Sequence, residues 1–376
     1  MGRRTGRVPA VSAVATAVRG VDRGFRTVFG RDLVAELPNF VHRPYLVVTM
    51  ADLWPRLEYL FDAHLAGVHL VDTIEVAELD RQSAALSPFG AVIGLGGGRA
   101  LDAAKFFAWR HDRPLFQVPT ALTTNAAFGH RTALRHEGRE VGLGWAVPEA
   151  IYIDFDLVRS APPQLNRSGV GDVLCHHTAT VDWKLAHDAG REDRRWPYDE
   201  ALVAEAREQL DAVVDCLDEI HDVTDAGIRA LTAAHRWAGA SFHESGWNAC
   251  HLDGVDHAFQ DALEYQTGLH FIHGQVIGLG TYLGAVLQDN RPDLVLDWLR
   301  RAGVDIRPEA MGTDWDAAGT AMQRLSWYVR HADLPYTIAD VRPVTDEIVA
   351  GIRDRVTATF GAWTEEGPAA PRGGFV

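Results

Sequence analysis

The stretch that most limits what this chain can become is Gly94-Leu95-Gly96-Gly97-Gly98-Arg99-Ala100-Leu101-Asp102-Ala103-Ala104-Lys105, where an apolar run meets a helical one through glycines. Phe89 to Leu95 reads as a strand, and a helix is expected from Arg99. Gly96, Gly97 and Gly98 let the backbone approach an anion with no Cβ in the way, while the helix start aims free N–H groups and the positive end of its dipole at it. The segment reads as a phosphate cradle. A ligand-free strand-to-helix turn can carry the same letters, so its weight depends on the rest of the chain.

Around it, β-like and helical runs alternate: Pro44–Thr49, Leu53–Leu65 (helical), His69–Val76 (β-like), Ala91–Leu95, Leu101–Trp109, Leu115–Val118 and Ala150–Ile153. This is the rhythm of a mostly parallel sheet. After Pro162-Pro163 the periods become helical, over about 169–187, 198–221, 225–242, 255–265, 273–287, 294–302, 315–331 and 344–360. The expected fold is an α/β Rossmann-like parallel-sheet domain, residues 25–160, followed by an all-α domain, residues 161–366. Residues 1–24 and 367–376 read as tails.

With 51 acidic against 36 basic side chains, a net charge of -15 excludes a broad nucleic-acid surface but leaves room for a small anionic ligand. No apolar run approaches the roughly 20 residues that span a bilayer. The Arg3-Arg4 pair is followed by a weakly apolar segment soon broken by Arg19, Asp22 and Arg23, which does not read as an export signal. Three cysteines without CxxC spacing suit a reducing cytoplasm. Only Lys105 and Lys184 among the basic residues are lysines, and both sit in motif segments.

A second motif, Gly169-Val170-Gly171-Asp172-Val173-Leu174-Cys175-His176-His177, opens a predicted helix with Asp172 and His176 four residues apart on one face. An acidic residue in a first turn is often only a partner for the helix dipole. Here His257 and His273 follow downstream, and one carboxylate with two or three imidazoles and an open position is the ligand set of catalytic Zn²⁺ or Fe²⁺. The chain has 17 histidines. Among them His177, expected to point away from Asp172, and His243, His251 and His270, which no spacing singles out, are read as surface or core residues.

Four segments together resemble the superfamily of iron-containing alcohol dehydrogenases, glycerol dehydrogenases and dehydroquinate synthases, and within it the sn-glycerol-1-phosphate dehydrogenase branch. They are Gly96–Gly98 with Asp102 and Lys105; Val118-Pro119-Thr120 with Thr123-Thr124; Gly169–Asp172 with Asp182-Trp183; and His273-Gly274 leading to Gly278-Leu279-Gly280-Thr281. The resemblance implies that NAD or NADP binds Gly96, Gly97, Gly98, Asp102, Thr120, Thr123 and Thr124, and that Asp172, His257 and His273 hold one divalent metal. It places His176 where the iron-dependent members have a fourth ligand, so iron stands beside zinc. The branch carries an aspartate near the substrate where this chain has Asn125, and Phe128-Gly129-His130-Arg131 also departs from it. His130 and Arg131 are expected either to meet a substrate phosphate or carboxylate or to form a plain basic loop.

The resulting expectation is hydride transfer between a nicotinamide cofactor and a small polyol, polyol phosphate or matching ketone or aldehyde. His270 or a water is the candidate for proton release. Asp52, after the first strand of the alternating set, could bind a ribose hydroxyl and leans the cofactor toward NAD. A sugar-phosphate cyclase using bound NAD and metal is the alternative within the superfamily, weakened by the scarcity of lysine, since arginine does not reproduce a compact ammonium. A non-catalytic cofactor-binding protein is the alternative outside enzymes. Partly apolar helices and the resemblance predict a homo-oligomer with a small-molecule substrate as its other partner.

Overall fold

The computed structural model describes residues 25–136 and 139–364; the two segments expected as tails lie outside the described residues. A six-stranded sheet is built from β1 (Thr27–Gly30), β2 (Tyr45–Thr49), β3 (Leu65–Leu70), β4 (Ala91–Gly96), β5 (Leu115–Pro119) and β8 (Ala150–Asp154), in the order β1-β8-β5-β4-β2-β3. Every pairing in it is parallel. A separate antiparallel hairpin joins β6 (Thr132–His136) and β7 (Arg139–Leu143).

Both sheet faces are buried, which is why the strands read as continuous apolar runs and not as alternation. Tyr45 and Val47 of β2 and Ala91, Ile93 and Leu95 of β4 enter one core. Leu46, Val48 and Val92 enter the opposite one with the helix Gly98–His111. Ile151 and Ile153 of β8 belong to the large core of the helical half, so that half packs directly against the sheet. All elements from Phe155 to Phe360 are helical.

Three local expectations are corrected. The helix expected over 53–65 is a turn at Trp54–Leu57, a 3₁₀ turn at Glu58–Leu60 and then β3, so the strand begins before His69. Pro55 sits in the first turn, and Leu65–Leu70 pairs with β2 instead of extending the helix. The hairpin β6–β7 was not foreseen. The single helix expected over 169–187 is broken at Cys175 into Gly171–Leu174 and His176–Asp188, and Cys216 likewise interrupts the helix expected over 198–221.

Candidate active site

The chain order β2, β3, then β4 on the other side of β2, puts a topological switch point between β2 and β4, and the crevice outside their carboxyl ends is where parallel α/β sheets take ligands. Gly96 closes β4 at φ +155°, and a Cβ there would stand 2.8 Å from that of Ala100, so glycine is required. Gly97 precedes the helix Gly98–His111, whose first turn has no side-chain cap, and a Cβ on Gly97 would meet nothing within 4 Å. Open space therefore faces uncapped N–H groups, the cradle that an anion needs. Asp52 is exposed in the turn after β2, on the same rim. Thr120 N donates to Gly96 O at 3.0 Å, Thr123 is buried, and Thr124 Oγ1 comes 3.6 Å from a Cβ built on Gly98. The loop after β5 thus lies across the cradle.

The same loop reaches the helical half, where Asn125 N donates to Asp172 Oδ2 at 3.3 Å. Asp172 lies 3.0 Å from His273 Nε2 and 4.0 Å from His257 Nε2, and the three side chains offer atoms all within 4.8 Å of one another. Two glycines make this meeting possible. A Cβ on Gly171 would fall 1.7 Å from Gly274 O, and one on Gly274 would fall 1.9 Å from Ser168 O. The backbones of the Asp172 turn and of the helix His273–Leu287 are in contact, so the residues beside the glycines face each other.

His257 is aimed by its neighbours. Its Nδ1 is 2.7 Å from Asp256 Oδ1, and Asp256 is fully buried with Thr178 Oγ1 donating to Oδ2 at 2.7 Å. This leaves Nε2 toward Asp172, and toward Asp253 Oδ1 at 3.5 Å. Asp182 accepts from Val255 N at 2.8 Å and so anchors the start of the helix Val255–Thr267 that carries His257.

The electrostatics call for a cation. Burial would raise the Asp172 carboxyl, but His273, His235 and His257 hold it well below the usual range. Burial would lower the His257 imidazole, yet Asp253, Asp256 and Asp172 drive it up to about 10. Asp253 is raised by burial and by Asp256 and Asp172, against the pull of His257 and His273. Burial acts most strongly on these carboxyls, and the charged groups that act on them after it are imidazoles and one another, with no lysine or arginine among them. A divalent ion fits such a set chemically: one carboxylate, two imidazoles and surplus negative charge. Cys175, with Asp256 and His257, forms a second group of the right spacing. Its thiol is pushed well up by burial and by Asp256, which keeps it protonated and a poor ligand.

Other expected residues sit elsewhere. His176 is fully buried against the Trp237 ring, 5.5 Å between centroids, and joins neither metal-capable group among the described residues. Cys175 keeps a helical conformation, so His176 stays within electrostatic reach of Asp172 while its ring packs on Trp237. Asp102 does not face the crevice; it is buried and paired with Lys105 Nζ at 2.7 Å. Lys105 also donates to Ala126 O at 2.9 Å and Arg131 O at 2.7 Å, tying the loop to the helix beneath. His130 is buried among Phe25, Trp145 and His243, and burial with His243 pushes its pKa down to about 4, so it is neutral and cannot attract an anion. The Arg131 guanidinium lies 4.6 Å over the Trp247 ring. His270 is exposed, 3.2 Å from Glu264. Asp253 and Asp256 escaped sequence reasoning; acidic residues one and four positions before His257 were the signal that could have marked them.

Residues 55–162 match the family described as iron-containing alcohol dehydrogenase. A glycerol-1-phosphate dehydrogenase [NAD(P)+] of Thermofilum pendens is 29% identical over 304 residues, 79% of this chain and 85% of that protein. One of Aeropyrum pernix is 28% identical over 73% of this chain and 76% of its own length. Among solved structures, glycerol dehydrogenase from Schizosaccharomyces pombe superposes with a TM-score of 0.69 at 18% identity, covering 95% of this chain and 97% of that one.

Proposed function

We infer that this chain, a relative of the iron-containing alcohol dehydrogenases, is a metal-dependent oxidoreductase that moves a hydride between NAD(P)(H) and a small polyol, polyol phosphate or the matching ketone or aldehyde. The observation that carries the reading is the single loop Thr120–Asn125, which lies over the glycine cradle at one end and binds Asp172 at the other. Cofactor and metal sites at the two ends of six residues place a nicotinamide and a reacting oxygen in one space.

Asp172, His257 and His273 would hold zinc or iron, with Asp253 beside them. The bound ion supplies Lewis acidity that lowers an alcohol pKa or polarises a carbonyl, and the dinucleotide supplies or accepts the hydride. The backbone of Gly96–Gly98 binds the pyrophosphate, and Asp52 is placed to accept from a ribose hydroxyl. The Thr120 backbone ties the loop to Gly96, Thr123 is buried beneath it, and Thr124 and Asn125 line the space between cradle and Asp172. Asp256 holds His257 in one tautomer by taking its Nδ1 proton in a hydrogen bond. His270, exposed and 3.2 Å from Glu264, would be the proton-release group in this reading. Residues of the sheet half through about 160 form the dinucleotide domain in this reading, and those from 161 the metal domain.

Exposed Tyr265 and Trp327, whose rings lie 6.2 Å apart, support the homo-oligomer part of the proposal. Elemental analysis of protein purified without chelator, with NADH and NADPH absorbance followed over a panel of small carbonyls, tests the function. About one metal per chain with turnover lost in His273→Ala supports it; no metal uptake and no turnover would remove it.

A further inference from the structure

We propose that Arg99 is the residue that receives the 2′-phosphate of a dinucleotide, so that this site takes NADP(H) beside NAD(H). The proposal rests on the dehydrogenase reading above and sharpens its cofactor class.

Arg99 is the second residue of the helix Gly98–His111, directly after the cradle glycines. Its Nη2 donates to Asp72 O at 3.1 Å, while its Nε is buried and has no hydrogen-bond partner. Asp72 lies two residues beyond the end of β3, and its carboxylate accepts from Gln82 Nε2 at 3.2 Å. Arg99 therefore touches only the backbone of that residue, and it forms no ion pair within 4.0 Å among the described residues. A buried N–H on a charged group with nothing to bind is costly, and an anion with several acceptor oxygens is the partner that satisfies it best.

The sheet order says which anion can reach it. From Gly96 at the end of β4, the loop Thr120–Asn125 and Asp172 lie on the β5 side, whereas Asp72 lies beyond β2, at the end of β3. Neighbouring strands are about 4.8 Å apart, so the Arg99 guanidinium stands roughly two strand spacings from β4, on the side away from the metal ligands. Arg135 gives the same bearing. Its N donates to Ile74 O at 3.0 Å, in the segment that holds Arg99, and its guanidinium is 2.6 Å from Glu264. Glu264 follows His257 on the helix Val255–Thr267 and lies about 10 Å along it from that ligand. In the reading above the pyrophosphate rests on Gly96–Gly98 and the ribose lies by Asp52, past the end of β2, so the end of β3 belongs to the adenosine half of the dinucleotide. A 2′-phosphate there would meet Arg99. Arg135 is already offset by Glu264, which leaves Arg99 as the guanidinium available, while Asp52 serves the hydroxyl of the unphosphorylated ribose.

Calorimetry with adenosine 2′,5′-bisphosphate and with 5′-AMP needs neither metal nor turnover, and is run on wild type, Arg99→Met, Arg99→Gln and Arg99→Lys. The kcat/KM values for NADPH and NADH are measured on the same proteins, metal-loaded, with dihydroxyacetone and dihydroxyacetone phosphate. The expected result is wild-type binding of the bisphosphate at least as tight as that of 5′-AMP. That preference should fall about tenfold to a hundredfold in Arg99→Met and Arg99→Gln and be largely kept in Arg99→Lys, with the NADPH-to-NADH ratio of kcat/KM moving in parallel. A wild type that rejects the bisphosphate overturns the proposal. So do equal losses for both nucleotides in variants that melt like wild type, which would put Arg99 on a phosphate common to them, and a higher KM for dihydroxyacetone phosphate with the nucleotide ratio unmoved, which would give the guanidinium to the substrate. If no carbonyl is reduced by any of the proteins, the dehydrogenase reading fails, and the calorimetric ratio alone then decides for or against Arg99.

Discussion

Gly171→Ala should disable the metal site without touching a ligand. The added Cβ would sit 1.7 Å from Gly274 O, and ordinary contact begins at 3.4 Å, so about 1.7 Å of separation must open between two backbones that have no flexible atom to yield. Asp172 and His273 adjoin the two contacting glycines and are now 3.0 Å apart. Ligand distances in metal sites tolerate about 0.2 Å, so a shift of this size takes one donor out of reach. Overpacking of this kind costs about 1–3 kcal/mol in fold stability, and losing a donor costs roughly a hundredfold or more in metal affinity. Isothermal titration with Zn²⁺ on apo protein reads the affinity, and thermal melting reads the packing cost. Gly97→Ala, whose Cβ meets nothing within 4 Å, controls for glycine loss as such and should leave zinc affinity unchanged. An unaltered zinc affinity in Gly171→Ala would refute the claim that backbone contact sets the ligand geometry.

Asp256→Asn should lower metal affinity about 10–100-fold while the fold persists, since it weakens the bond that orients His257; titration with Zn²⁺ or Co²⁺ checks this. Lys105→Met strands a buried carboxylate and should destabilise the protein by about 3–5 kcal/mol, with much of the loss recovered when Asp102→Asn is added; denaturant melts of the three variants decide. In apo protein the His257 contribution to stability is complete below pH about 6.5, the unfolded value, and is lost as pH rises through about 10, because its folded pKa is raised. Zinc uptake must displace that proton, so apparent zinc affinity should climb across the same window; a pH-independent affinity between 6.5 and 9 would contradict it.

Much of this architecture is written in local patterns. Strands buried on both faces leave continuous apolar runs, so β2, β4, β5 and β8 could be read from the letters. Gly96 marks its turn because the backbone conformation and the nearby Ala100 leave no place for a side chain there. Asp172 and His273, 101 residues apart, could be paired from residue chemistry and resemblance, but nothing in the letters conveys their distance. What stayed hidden depends on tertiary contact. The packing of His176 against Trp237 joins distant segments that no local pattern links, and the hairpin β6–β7 is short and half polar. His130 and Arg131 looked basic in sequence, whereas aromatic neighbours from distant segments neutralise one and engage the other. Asp253 and Asp256 went unread in the sequence because their part depends on the fold closing around His257.

The most direct test of the account is transfer of deuterium from [4-²H]NADH or [4-²H]NADPH to the carbonyl carbon of a small ketone, read by mass spectrometry of the alcohol formed. The account predicts label in the product with zinc- or iron-loaded protein, none with chelated protein, and none with His273→Ala. Label incorporation that persists after complete metal removal, or its absence with every carbonyl tried on fully metallated protein, would contradict it.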